Sequence, residues 1–171
     1  GLAYLSYDVL PGGHLRNWPR DLMRFHTRNI PDPANKVRAA KEIIEFVGAA
    51  IPAGTLEREL LKREIGPYEG KDFIIYHDLL SEVNDPVYFL DFMDAAARCG
   101  LEFVSEANLH YSRTAEFPEH VRQHLDGLAS RLEREQYLDF IHLRSFRQTI
   151  LCRQGQRTDL AVTPGRLERL F

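Results

Sequence analysis

Histidines and tyrosines beside apolar segments are the side chains of this chain that could do chemistry at neutral pH. Tyr76, His77 and Asp78 lie beside an apolar face, where a histidine could titrate near neutral pH or donate to a carboxylate. A more common outcome of this pattern is a hydrogen-bonded histidine at a helix boundary. One hypothesis is therefore a small enzyme that works through Tyr7, His14 and His77, and the alternative is a structural role for all three.

Two further spacings are typical of metal or acid/base sites. His120 and His124 share a helix face at a spacing that metal ligands use, but no third ligand lies near them. Glu102 and Glu106 are separated by an even count in a predicted strand, so we expect both on its solvent face and Ser105 on the other. The chain has no GxGxxG after a strand, no P-loop, no GxSxG and no HExxH. The usual motifs of cofactor cradles and nucleophiles are thus absent from the sequence.

A predicted loop, Asp8 to Pro19, follows a first strand predicted at Leu2 to Tyr7. The carboxyl end of a strand is where open α/β sheets place ligands. The alternative is a tight turn, in which Gly12 and Gly13 take positive φ and Trp18 plugs the core before a helix that begins at Pro19. The sequence leaves both alternatives open.

Residues 133–153 predict a helix followed by the most convincing strand of the C-terminal half. One helix face is predicted from offsets of three, four and seven, at Tyr137, Phe140, Ile141 and Arg144, and we expect its apolar residues to be in the core. A β-prone run at 146–152 then predicts a strand, with the handover near Ser145.

Three arginines, Arg144, Arg147 and Arg153, lie in this otherwise apolar segment. Their charged ends must reach water or meet carboxylates, and Asp139 and two nearby glutamates, Glu133 and Glu135, are the candidates. We expect a helix–strand corner held by surface ion pairs, with a binding role for the arginines as the alternative.

The composition excludes some classes of protein. The 171 residues suffice for one domain with a proper core, and the net charge of -3, with basic residues scattered among acidic ones, disfavours a nucleic-acid partner. No apolar run is long enough to span a bilayer and no signal-peptide pattern is present, so we expect a soluble, cytoplasmic protein. Cys99 and Cys152 are expected to be reduced, buried thiols.

Prolines, glycines and capping residues divide the rest of the chain into elements. Leu101 to Ala107 alternates apolar and polar residues, which is typical of a half-buried strand. The predicted helices run from Pro19 to about Arg28, from an Asp32 cap to Pro52, from a Thr55 cap to Ile65, from Phe73 to Leu80, from Val87 to Cys99, and from Pro118 onward.

Four segments together resemble a known family. They are LAYLSYDVLPGGH (2–14), YHDLLSEVNDPVYFLDF (76–92), GLEFVSEA (100–107) and EQYLDFIHLRSFRQTILCR (135–153). In this order they resemble the predicted methyltransferase regulatory domain, which follows the S-adenosylmethionine-binding half of a group of bacterial methyltransferases that includes protein-lysine methyltransferases. The first motif of that family commonly carries a tryptophan in PGW, whereas this chain has Pro11, Gly12, Gly13 and His14.

The resemblance implies an α/β fold with a small mixed three-stranded sheet and a largely helical insertion. The strands at 2–7, 101–107 and 146–152 would correspond to the fifth, sixth and seventh strands of a methyltransferase sheet. Their spatial order would be first, third, second, with the last strand antiparallel to the other two. The domain would span residues 1–153, followed by a tail at 154–171.

The resemblance also implies a function. The chain would be a non-catalytic regulatory or substrate-recognition module, with a methyltransferase catalytic domain and a protein substrate as partners. S-adenosylmethionine would be bound by the parent enzyme and no cofactor by this chain. The alternative is a stand-alone interaction or dimerisation domain that pairs through the edge of strand 2–7, or covers that edge with its own tail. The candidate substrate- or partner-binding residues are Tyr7, Asp8, His14, Trp18, Tyr76, His77, Arg144 and Arg147.

Overall fold

A three-stranded antiparallel sheet is present, and its spatial order confirms the one expected from the sequence. The computed structural model describes residues 1–156. The strands are β1 (Leu2–Asp8), β2 (Leu101–Glu106) and β3 (Phe146–Arg153), in the order β1-β3-β2. The β3 strand is central because it pairs with both of the others, and its alternate residues, among them Thr149 and Leu151, are fully buried.

Seven helices accompany the sheet in residues 1–156. Asp32 caps α2 by accepting from the Asn35 backbone N–H at 2.8 Å, and Thr55 caps α3, both as predicted. No helix in this part of the chain is long and apolar enough to cross a membrane. The helices are α1 (Gly12–Thr27), α2 (Pro33–Ala50), α3 (Leu56–Ile65), α4 (Asp72–Ile74, continued by a π-helical turn at Ile75–Leu79), α5 (Phe89–Arg98), α6 (Glu119–Asp126) and α7 (Arg131–His142).

The predicted loop at 8–19 is wrong over most of its length, because α1 begins at Gly12 and Pro19 lies inside it. Backbone hydrogen bonds at Gly12 and Gly13 set the start of the helix instead. The Gly12 N–H donates to the Arg144 carbonyl at 2.9 Å, and the Gly13 N–H donates to the Val9 carbonyl at 2.8 Å. The first turn of α1 is thus anchored before Pro19 is reached.

Gly12 and Gly13 are required by close packing and not by positive φ. A Cβ on Gly12 would lie 2.3 Å from the Leu143 carbonyl oxygen, and one on Gly13 would lie 2.7 Å from Pro86 Cβ. Neither glycine has positive φ. Trp18 is 37% exposed, so the expectation that it plugs the core is also wrong.

The chain forms two compact units, each with its own apolar cluster. One unit contains residues 1–7, 88–142 and 147 onward, and the other contains 8–87 and 143–146. Phe89, Met93, Ala96 and Leu151 are the buried cluster of the first unit. In the second unit the buried cluster consists of Met23, Val37, Ala40, Ile75, Leu79 and Leu80.

The two cysteines form no disulfide with each other, and their burial differs. Cys152 is buried, as expected for a strand residue, whereas Cys99 at the end of α5 is exposed. The expectation of two buried thiols is therefore correct only for Cys152.

Candidate functional site

Arg147 is the centre of a buried polar cluster in the first unit. Its side chain is 0% exposed, and its Nε donates to both carboxylate oxygens of Asp139 at 3.1 and 3.0 Å. Its Nη1 donates to Glu106 Oε2 at 2.9 Å, while Nη2 donates to the carbonyl and the carboxylate of Glu135 at 3.0 and 3.1 Å. Three carboxylates from β2 and α7 thus surround one guanidinium on β3.

The carboxylates keep Arg147 charged in spite of its burial. Burial alone would lower the pKa of Arg147, but the hydrogen bond to Asp139 and the charges of Asp139, Glu135 and Glu106 raise it. The guanidinium carbon also lies 3.8 Å from the ring centroid of Phe89, which adds a cation–π contact.

A β-bulge brings Glu106 into this cluster. The register of β2 against β3 shifts between Phe103 and Ser105, so the strict alternation assumed from the sequence fails there. Glu106 is only 1% exposed and also accepts from the Gln148 backbone N–H. The expectation that Glu106 lies on the solvent face is therefore wrong.

Tyr7 on β1 belongs to the same unit. Its hydroxyl lies 3.0 Å from Thr149 Oγ1, and its ring stacks on Phe92 with centroids 3.9 Å apart. Burial raises the pKa of Tyr7, against the lowering effects of the Thr149 hydrogen bond and Arg147. Tyr7 is thus held as a neutral phenol in the sheet, and this geometry favours a positioning role over acid/base work.

The cluster around Arg147 is suited to a structural role. Its members are enclosed by protein and bonded to one another, so a substrate would have to displace them to reach the guanidinium. The predicted binding role of Arg147 stays a prediction, and the geometry supports an anchor that fixes α7, β2 and β3 to one another.

Asp8 is the predicted site residue with the most polar partners in the second unit. Its carboxylate accepts from Arg16 Nη1 and from Asn84 Nδ2, both at 2.7 Å. Arg16 Nη2 also donates to Ser145 Oγ at 2.8 Å, and its Nε lies 3.7 Å from Glu64 Oε2. Sequence reasoning missed Arg16 because it placed a loop where α1 carries this residue, and it missed Glu64 because no local pattern connects α3 with α1.

Two of the three arginines that follow α7 lie in the interior, so the expectation of a surface corner is wrong for them. Arg144, at 5% exposure, donates from Nε to the Phe146 carbonyl at 2.9 Å. Arg147 meets Asp139 and a second predicted carboxylate, but in the core. Arg153 is exposed.

The remaining candidates, His14, Trp18, Tyr76 and His77, are all on the surface of the second unit. The rings of Tyr76 and His77 have centroids 5.3 Å apart, and the centroids of Phe73 and His77 are 4.4 Å apart. The three exposed rings form an aromatic group, with Phe73 on α4 and the other two on the π-helical turn, a type of turn that is frequent at functional sites.

An outward apolar face on α7 is the feature that the sequence pattern predicted least well. Tyr137, Phe140 and Ile141 are 45%, 48% and 47% exposed, so the expectation that they are in the core is wrong. Asp139 points inward instead, where it accepts hydrogen bonds from Arg147. Its neighbour Gln136 also points inward and accepts from a backbone N–H of α5. The buried residues of α7 are Glu135, Gln136, Leu138 and Asp139.

A groove beside this face combines apolar walls with polar groups. Its volume is about 380 Å³. We call it the α7 groove, and it is lined by Leu90, Leu128, Glu133, Gln136, Tyr137 and Phe140.

No group of three or more residues able to hold a metal is present in residues 1–156. His124 instead packs edge-on against Tyr137, with centroids 5.8 Å apart. In the pair His120 and His124, which has the spacing of metal ligands, His124 thus makes an aromatic contact.

Two curated proteins of Rickettsia prowazekii are similar to this chain. Uncharacterized protein RP789 is 32% identical over 154 residues, which are 89% of this chain and 28% of that protein. Uncharacterized protein RP028 is 28% identical over 102 residues, which are 57% of this chain and 40% of that protein. The chain therefore spans well under half the length of either relative.

Solved structures of PKMT2 from Rickettsia typhi share the fold. One aligns with a TM-score of 0.80 and 26% identity over 98% of this chain and 32% of PKMT2. A structure of PKMT2 in complex with AdoHcy aligns with a TM-score of 0.80 and 25% identity over 95% of this chain and 32% of PKMT2.

The family comparison agrees with these similarities. Residues 71–153 match the sequence model of the predicted methyltransferase regulatory domain. This match includes α5, β2, α7 and β3, which carry all of the Arg147 cluster and most of the α7 groove. Over residues 71–153 the chain is thus matched to the predicted methyltransferase regulatory domain, and the family resemblance seen in its motifs is confirmed.

Proposed function

We propose that this chain is the regulatory or substrate-recognition module of a methyltransferase whose cofactor-binding half lies outside it. The module spans residues 1–153, and 154–171 is a tail of which residues up to 156 are described. S-adenosylmethionine is the cofactor of the parent enzyme, and a protein is its substrate. We place the enzyme in the cytoplasm, a reducing compartment in which an exposed thiol such as that of Cys99 stays reduced.

The share of PKMT2 that this chain matches is the observation that carries the proposal. The chain aligns over 98% of its own length but over only 32% of PKMT2, and its family is described as regulatory. A protein-lysine methyltransferase that binds AdoHcy thus contains a region of this fold together with a larger remainder. The catalytic chemistry is therefore assigned to the remainder.

The packing of the glycine pair Gly12 and Gly13 supports the same division. Glycines after a strand cradle a cofactor when space above their Cα atoms is open to it. Here the Leu143 carbonyl and Pro86 fill that space. These residues do not fit a cofactor cradle, so no step of methyl transfer is assigned to them.

Calorimetry with S-adenosylmethionine tests the proposal. The chain alone should show no tight binding, whereas the complete enzyme should bind the cofactor. Mixing the chain with its separately produced catalytic half should give a complex on size-exclusion chromatography. Micromolar or tighter binding of S-adenosylmethionine by the chain alone would contradict the proposal.

The exposed edge of β1 favours a second candidate function, a stand-alone dimerisation domain. Leu2, Tyr4 and Leu5 are 67%, 58% and 37% exposed, and β3 is the only strand that pairs with β1 in the described sheet. A twofold pairing of β1 strands would cover this edge. The alternative cover, the tail, lies mostly outside the described residues.

Sedimentation of the chain distinguishes this candidate from the first. A β1-paired dimer should dissociate on Leu5→Pro, because proline removes a backbone donor and resists ladder pairing. A monomeric wild-type chain with rapidly exchanging amides at residues 2–7 would exclude it.

A further inference from the structure

The α7 groove contains a buried hydrogen-bond donor that has no acceptor in the described part of the chain. Gln136 is 7% exposed, and its Oε1 accepts from the Leu90 backbone N–H at 3.1 Å. An N–H group can only donate, so this bond fixes which end of the Gln136 amide is oxygen. Nε2 is then the free end, and it is buried without a partner.

A buried amide donor without an acceptor is costly, by an amount comparable to a lost hydrogen bond. Nε2 is covered in the free chain, so the Gln136 amide must shift toward the groove that it lines before an acceptor there can relieve this cost. Glu133, also in the lining, has an exposed side chain and disfavours an anionic acceptor beside it. A neutral carbonyl oxygen is therefore the best match.

The walls of the groove require an apolar companion to that carbonyl. Leu90, Leu128, Tyr137 and Phe140 line it, and the last two are large side chains left about half exposed. Exposed apolar patches with a few convergent polar groups are typical of interaction sites. A peptide segment supplies both requirements, because it presents a side chain and a backbone carbonyl together.

From these contacts we infer that the α7 groove binds a peptide segment that inserts a bulky apolar side chain between Leu90 and Phe140 and accepts a hydrogen bond from Gln136 Nε2 through a backbone carbonyl. The segment belongs to the part of the methyltransferase outside this chain. This inference rests on the proposed function, since well over half of PKMT2 lies outside the region that this chain matches.

Binding of the separately produced catalytic half to the chain tests the inference by calorimetry at pH 8. Gln136→Glu keeps an oxygen for the Leu90 N–H but replaces the amide donor with a carboxylate, and it should weaken binding about tenfold. Phe140→Ser should weaken it by a similar factor because it removes an apolar wall. Phe25→Ser is the matched control, since Phe25 is an aromatic residue of the second unit that is 67% exposed.

Hydroxyl-radical footprinting of the complete enzyme provides an independent readout. The reactivity of Tyr137 and Phe140 should fall severalfold relative to the isolated chain, while that of Phe25 should not. Binding that Gln136→Glu and Phe140→Ser leave unchanged, or equal reactivity in both proteins, would overturn the inference but not the proposed function. Failure of the two halves to bind at all would overturn both.

Discussion

The charge of Arg147 is balanced by three buried carboxylates, those of Glu106, Glu135 and Asp139. Arg147 and its partner Asp139 were identified from the sequence, because a charge in a β-prone apolar run needs a counterion. Glu106 could not be assigned to this cluster, since the β-bulge that turns it inward has no glycine or proline signal. The surface ion pairs expected from the charges are, for Arg147, a fully buried network.

Replacement of Arg147 should be severely destabilising. Arg147→Met would leave Glu106, Glu135 and Asp139 buried without their counterion, at a cost of about 3–5 kcal/mol in the free energy of unfolding. Arg153→Met, on the same strand but exposed, should change it by less than about 0.5 kcal/mol. Denaturant titrations of both variants measure the difference, and equal midpoints would show that the cluster is not needed for stability.

Tyr7 should make the protein less stable at alkaline pH. Its pKa is raised in the folded state, so the folded chain keeps a proton that the unfolded chain loses above about pH 10. The contribution of protonated Tyr7 to the free energy of unfolding is complete below pH 10. It falls as the pH rises further, by up to about 1.4 kcal/mol per pH unit.

Unfolding titrations between pH 9 and 11 check this expectation. Tyr7→Phe should flatten the alkaline decline without abolishing it, since burial also raises the pKa of Tyr68. At neutral pH the same variant should lose about 1 kcal/mol with its Thr149 hydrogen bond, whereas Tyr4→Phe on the exposed side of β1 should lose little. An unchanged alkaline slope in Tyr7→Phe would contradict the account.

The bounds of helices and strands were predicted well where nearby residues determine them. They were predicted poorly where contacts with backbone distant in sequence determine them. The caps of α2 and α3 and the handover from α7 to β3 follow from short-range chemistry. The start of α1 does not, because it depends on a carbonyl more than a hundred residues away in sequence. In α7, polar groups that serve Arg147 point inward and turn the apolar face outward, which periodicity alone cannot distinguish.

The glycine at the start of α1 should tolerate no side chain. Gly12→Ala would place a Cβ 2.3 Å from the Leu143 carbonyl oxygen, and the required shift should cost about 1–3 kcal/mol. Gly66→Ala is the control, because nothing lies within 4 Å of its Cβ and its φ of -49° suits alanine. Thermal melts compare the two, and equal melting temperatures would show that α1 can move away from the backbone at 143–144.

Phe140 should contribute little to folding in spite of its position in the helical pattern. Phe140→Ala removes a side chain that is 48% exposed, so it should cost about 1 kcal/mol or less. Phe89→Ala removes a fully buried ring beside Arg147 and should cost about 3–5 kcal/mol. A loss for Phe140→Ala as large as that for Phe89→Ala would restore the core position expected from the sequence.

At the scale of the whole molecule, the sheet order and the family were predictable, whereas the candidate site was not. Four motifs in a fixed order carried the resemblance, and the β-prone run at 146–152 suited the central position. The α7 groove depends on how Gln136 and Phe140 are turned by contacts distant in sequence, so no local pattern marks it. Its position within residues 71–153 makes the matched region the part of the chain where partner binding should be tested first.

The rate of methyl transfer to a protein substrate by the catalytic half, measured with and without this chain, decides whether the chain has a regulatory or substrate-recognition role. We expect the catalytic half alone to differ severalfold from the complete enzyme in rate or in substrate selectivity, and adding the chain should restore the behaviour of the complete enzyme. The chain alone should transfer no methyl groups. Methyl transfer by the chain alone, or a catalytic half whose rate and selectivity are the same with and without it, would contradict a regulatory or substrate-recognition role.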